Sequence, residues 1–149
     1  MKIVIIDGQG GRMGSLLIEK LKASALFADS SAKQEQDLTL VAIGTNSIAT
    51  AAMLRSGADA GATGENPVLV NCRDANIIAG PIGILAADSL LGEITPAMAT
   101  AIGQSSAEKV LLPVNKCCHH VAGVKDLPLQ ELIAEAVEMI TKLAVKDQC

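Results

Sequence analysis

A chain of 149 residues, half of them hydrophobic, holds enough apolar material for one domain with its own core. Its net charge of −4 gives nucleic acid nothing to pair with, and the most apolar stretch, Ile77 to Ala87, is broken by Gly80, Pro81 and Gly83 and is shorter than the ~20 residues a bilayer span needs. Phe27 is the sole aromatic residue, so the core has to be Ile, Val, Leu and Ala, as in a parallel sheet covered by helices.

The N-terminal stretch lacks the basic, apolar, small-residue layout of a signal peptide. Cys72, Cys117, Cys118 and Cys149 show no framework spacing. The expectation is a cytoplasmic protein with reduced thiols.

Ile3-Val4-Ile5-Ile6 reads as a strand buried on both faces. Gly8-Gln9-Gly10-Gly11-Arg12-Met13-Gly14 follows, and then a helical period with Leu17, Ile18, Leu21 and Ala25 on one side. Strand, glycine-rich turn and helix together make a nucleotide-site hypothesis. Gly8 can take the positive φ that a tight turn needs, and Gly10 and Gly11 put no Cβ between the backbone and a phosphate. Gly14 lets the helix sit close on the strand, and the N–H groups at the helix start face an anion. The alternative is a plain strand–helix turn with no ligand. The turn resembles the first turn of dihydrodipicolinate reductases at Gly8, Gly11, Arg12, Met13 and Gly14. That resemblance implies that the turn holds the pyrophosphate of a nicotinamide dinucleotide, with Arg12 near the adenosine ribose.

Asp29 to Asp37 reads as a solvated loop, and Leu38 to Gly44 as a second buried strand. Ser47 is the expected N-cap of a short helix through Arg55, ended by Ser56-Gly57. A dinucleotide site wants an acid at the end of the second strand for the ribose hydroxyls. Thr45-Asn46-Ser47 stands there instead, and Asp29, Glu35 and Asp37 lie before the strand. With Arg12 nearby, the departure leans towards a 2′-phosphate, hence NADP, or towards another nucleotide. Thr45 to Ser47 also reads as an ordinary helix cap.

Gly57 to Asn66 is small and glycine-rich, and reads as a loop. Val68 to Cys72 is the expected third strand and Asn76 to Ala79 the fourth, ending in the tight Gly80-Pro81-Ile82-Gly83. Ligands in open parallel sheets sit beyond the C-terminal strand ends, so Gly8, Thr45 and Gly80 should share that edge. Ile84 to Leu91 reads as a helix stopped by Gly92, and Thr95-Pro96 starts another towards Ile102. Lys109 to Val114 is the expected fifth strand and Val121 to Val124 a sixth, antiparallel because the link is short. A long amphipathic helix over Leu129 to Leu143 closes the chain, its stripe formed by Leu132, Ile133, Ala136, Val137, Ile140 and Leu143.

Lys116-Cys117-Cys118-His119-His120 invites a metal reading, but adjacent residues on an extended segment point apart and no second Cys/His pair follows, so no metal is expected. Lys116 could meet a phosphate or simply be a surface lysine. His119-His120 with Lys125-Asp126 departs in spacing from the histidine-lysine-aspartate segment of dihydrodipicolinate reductases.

Taken whole, the chain is similar to the uncharacterised bacterial family of short Rossmann-like proteins carried as domain of unknown function 3842. Gly44 to Thr50, Gly57 to Asn66, Gly80 to Ile84, Ala87 to Pro96 and Leu112 to Cys117 carry the similarity, with the glycine turn. It implies a fold and no activity.

The expected architecture is a single Rossmann-like domain over 1–149, a three-layer α/β/α stack on a mainly parallel sheet of five or six strands, the first strand central. The expected nucleotide-binding residues are Gly8, Gln9, Gly10, Gly11, Arg12, Met13, Gly14, Thr45, Asn46, Gly80 and Pro81, for NADP or NAD. A sensing or regulatory nucleotide-binding domain is the first reading. A small NAD(P)-dependent oxidoreductase and a ligand-free interaction module are the alternatives. No catalytic constellation is readable. No nucleic-acid or membrane partner is expected. A homodimer is, through the last helix or the segment from Ile82 to Ile102.

Overall fold

Ile3 and Ile5 face one core, Val4 and Ile6 the other, and all four are fully buried. This two-sided burial explains the unbroken β-branched run, because both faces of the strand are covered. The computed structural model describes residues 1–28, 38–114 and 120–146. Its elements are β1 (Lys2–Asp7), α1 (Arg12–Ala23), α2 (Ala25–Ala28), β2 (Thr39–Gly44), α3 (Ser47–Arg55), β3 (Ala60–Thr63) and α4 (Glu65–Asn71). Then come β4 (Ile77–Pro81), a 3₁₀ turn (Ile82–Leu85), α5 (Ser89–Gly92), α6 (Pro96–Gln104), β5 (Glu108–Leu112) and α7 (Leu129–Lys146).

The five strands run in the order β3-β2-β1-β4-β5, all parallel, with β1 central. β1 is in register with β2 from Lys2–Thr39 to Asp7–Gly44 and with β4 from Ile3–Ile77 to Ile5–Ala79. One face is covered by Leu17, Ile18 and Leu21 of α1, Ala49 and Met53 of α3, and Leu132, Ile133, Ala136 and Ile140 of α7. The other is covered by Val68 of α4, by Ile84, Leu90 and Ile94, and by Met98 and Ile102 of α6. The result is a Rossmann-like three-layer fold, with its strand order reversing between β1 and β4, where such sheets open a crevice.

Several elements differ from the sequence reading. Val68 to Cys72 is helical, within and capping α4, because Pro67 falls in a first turn that needs no donor from it. The third strand is instead β3, inside the stretch expected as a loop. It sits at the sheet edge with small, largely exposed residues, so it carries no apolar signal. Gly61 is needed there, since a Cβ would lie 2.8 Å from the Leu54 side chain. Val121 to Val124 makes no strand. Residues 122–123 turn, with Gly123 at φ +82, and every pairing in the sheet is parallel. The expected helix over Ile84 to Leu91 is two short pieces, separated at Ala86, which is extended, and Asp88, which is left-handed, and the second piece holds Leu90 and Leu91 in left-handed backbone. The expectations for Asp29, Glu35, Asp37, Lys116, Cys117, Cys118, His119 and Cys149 fall outside the described residues.

Candidate functional site

The turn after β1 is held from below by Asp7, which is buried at the strand end. Its Oδ1 accepts from the Gly8 N–H at 2.8 Å and its Oδ2 from the Gly14 N–H at 2.7 Å, so one carboxylate ties both ends of the loop. Gly11 closes it, donating to the Gly8 carbonyl at 2.9 Å with φ +68, and serves as the residue before α1.

The glycines divide by task. Around Gly10 nothing lies within 4 Å of where a Cβ would stand. At Gly11 a Cβ would meet the Ala49 backbone at 2.7 Å, and at Gly14 it would meet Met53 Sδ at 2.5 Å. Gly10 is therefore the open glycine. Gly11 and Gly14 let α3 close on the start of α1, so the space beside Gly11 that the sequence reading gave to a phosphate is filled by α3.

A hollow of ≈ 230 Å³ opens against this turn, lined by Asp7 through Met13 with Val114 and Leu129. It brings together Gly8, Gln9, Gly10, Gly11, Arg12 and Met13. Gly14 lies behind it. Thr45 and Asn46 stand at the end of β2, on the same sheet edge but outside the hollow. Gly80 and Pro81, at the end of β4, are also outside it. A Cβ on Gly80 would come 2.4 Å from the Ile6 carbonyl oxygen, so this glycine serves strand packing. A larger hollow, ≈ 440 Å³, lies beside the ends of α4 and α6, lined by Cys72, Arg73, Gln104 and Ser105 among others. It is remote from the glycine turn, and the smaller hollow is the one that strand-end geometry favours.

A family model described as Domain of unknown function (DUF3842) matches residues 2–145. The chain belongs to this family. No curated protein and no solved structure matches it.

In this DUF3842 chain the end of β2 is occupied by a carboxylate that arrives from elsewhere. Glu93, after α5, accepts at Oε2 from the Gln9 N–H at 2.8 Å, from Asn46 Nδ2 at 3.1 Å and from the Thr45 hydroxyl. Asn46 also N-caps α3, accepting from the Ala49 N–H at 2.9 Å, and its Nδ2 donates to the Gln9 carbonyl at 2.9 Å. The cap is thus Asn46 rather than Ser47. Burial works to raise Glu93, but the bonds from Thr45, the Gln9 N–H and Asn46 prevail and hold it below its ordinary 4.5. Burial pushes Asp7 above its ordinary 3.8 against its N–H bonds, and the charge of Glu93 adds to the rise.

Glu93 was invisible to spacing rules because it comes from a different loop, 48 residues beyond Thr45 in the chain. In the sequence Leu90-Leu91-Gly92 reads only as a helix end, whereas in the fold Leu91 is 95% exposed. Asp7 was legible only as a polar residue ending an apolar strand. Among the described residues no group of three or more His, Cys, Asp or Glu is placed to hold a metal, and no helix is long and apolar enough to cross a membrane.

Proposed function

We propose that the turn from Gly8 to Gly14 binds a nucleotide, of the NAD(P) type, in a sensing or regulatory role. The observation that carries this reading is the hollow lined by Gly8 to Arg12 at the start of the twelve-residue α1, next to Gly10, whose Cβ position is open. A helix start presents N–H groups and a positive dipole end to an anion. Among the described residues the Gly10 N–H has no partner. Arg12 is exposed and lines the hollow, where its guanidinium suits a pyrophosphate. The turn's resemblance to dihydrodipicolinate reductases supports a nicotinamide dinucleotide. Binding is favoured over catalysis because Asp7, the one carboxylate among the described residues lining the hollow, has both oxygens committed to backbone N–H groups.

The test is calorimetric titration with NADH, NADPH, ATP and FMN. Uptake of none of them at millimolar ligand would leave the interaction module as the reading. Arg12→Ala should weaken binding ten- to hundredfold, the loss of a charge-assisted bond worth ~1.5–3 kcal/mol. A homodimer belongs to the same proposal, either through α7, where Met139 and Val145 are exposed, or through the segment after β4, where Leu91 is exposed. Light scattering at micromolar concentration checks it.

A further inference from the structure

A dinucleotide site of this fold expects a carboxylate at the end of β2 to bond the ribose hydroxyls. This chain has Thr45 and Asn46 there, neither of them acidic. Both donate to Glu93 Oε2, and so does the Gln9 N–H of the glycine turn. The Glu93 carboxylate therefore stands at the end of β2, over Gly8, although the chain delivers it from the far side of β1. A Cβ on Gly8 would lie 2.5 Å from that same Oε2.

All three bonds fall on Oε2, and Oε1 takes none of them. One oxygen is anchored and the other remains to accept. Glu93 does not line the hollow against Gly10 and Arg12, so it leaves that space open to a pyrophosphate. The loop that brings Glu93 in is strained. Asp88 (φ 64), Leu90 (φ 54) and Leu91 (φ 59) all hold left-handed backbone without being glycine. Such conformations persist where the surroundings over-determine them, and they gather at functional sites. Inside the loop, Ser89 Oγ donates to the Gly83 carbonyl, and the Asp88 N–H donates to the Ile94 carbonyl at 2.7 Å.

We infer that Glu93 is the ribose-recognising carboxylate of this site, supplied from the loop after β4 instead of from the end of β2, and that it selects a nucleotide with a free ribose 2′-hydroxyl over one carrying a 2′-phosphate. The inference rests on the nucleotide reading above. A free hydroxyl donates to Oε1, whereas a phosphate dianion meets a like charge with no proton between them. The lean towards NADP that follows from a missing acid after β2 is thereby reversed, since the acid is present by another route.

The experiment titrates the full chain with NADH, NADPH, ATP and 2′-deoxy-ATP, then repeats each titration with Glu93→Gln. Glutamine keeps the shape and an acceptor oxygen but removes the charge, and thermal melts by circular dichroism confirm that the variant is folded. In wild type, NADH should bind at least tenfold more tightly than NADPH, and ATP several-fold more tightly than its 2′-deoxy form. In Glu93→Gln the NADH/NADPH ratio should collapse to within about threefold, chiefly because NADPH improves. The wild-type comparison of ATP with 2′-deoxy-ATP needs no variant and stands even if Glu93→Gln fails to fold. Binding without discrimination at the 2′ position, or discrimination unchanged in Glu93→Gln, overturns this inference and leaves the nucleotide site standing. No binding of any of the four overturns this inference, and if FMN is not taken up either, the nucleotide reading falls with it.

Discussion

Asp7 Oδ2 accepts from the Gly14 N–H at 2.7 Å, seven residues along the chain, so the end of β1 and the first turn of α1 are fastened by one buried carboxylate. Asp7→Ala would leave the N–H groups of Gly8 and Gly14 without their acceptor in a buried place. Each such donor costs about 1–3 kcal/mol, partly offset by removing the buried charge.

The pH dependence of that loss has a definite sign. Asp7 is raised above 3.8 in the fold, so above 3.8 the native state holds its proton longer than the unfolded chain does. Its stabilising share is fully present below 3.8 and declines as pH rises through its folded value. The Asp7→Ala deficit in urea unfolding should therefore narrow between acidic and neutral pH. A deficit that widens instead would show the ionised form to be the favoured one.

Gly10 and Gly11 should separate binding from folding. Gly10→Val places its side chain in open space and should leave the urea midpoint unchanged while removing nucleotide uptake. Gly11→Ala meets the Ala49 backbone and holds a Cβ at φ +68, which should cost about 2–4 kcal/mol of stability. The reverse pattern would place the ligand on the α3 side of the turn.

The architecture was readable because its signal is apolar burial. Ile3 to Ile6 and Leu40 to Ile43 are continuous runs, and α7 shows a clean stripe through Leu132, Ile133, Ala136 and Ile140. What escaped was held by backbone and polar contacts. β3 pairs through its main chain with side chains no larger than threonine. The run Val68-Leu69-Val70 looked like a strand because short apolar runs do not reveal their period. At the site, the turn itself was legible from its glycines. The division of labour between Gly10 and Gly11 was not, because it depends on where α3 lies, and Glu93 depends on a loop whose backbone no propensity favours.

Leu91 offers a direct measure of that loop's strain. It is 95% exposed, so a substitution there forfeits little burial. Relieving its φ of 59 gains about 1–2 kcal/mol, against about 0.5–1 kcal/mol for the added freedom of a glycine in the unfolded chain. Leu91→Gly should therefore raise the urea midpoint slightly with an unchanged slope. A lowered midpoint would show that Leu91 makes a stabilising contact.

Cys72 should be inert. Burial pushes its thiol up to about 11, against the opposing pull of Lys109 and Lys2, and thiolate is the reactive form. Iodoacetamide at mildly alkaline pH should leave the Cys72 peptide unmodified in the native protein and label it in urea, as read by peptide mass mapping. Rapid native labelling would mean that the C-terminal end of α4 opens.

The β3 margin has a bearing on solubility. An unpaired strand edge is a template on which a stray chain can add itself. Here that margin is four residues long and bears only Ala60, Gly61, Ala62 and Thr63. An intruding strand would find a short row of peptide groups and almost no greasy surface to bury. This margin thus discourages runaway stacking by offering too little reward, without placing a charged guard on the strand itself.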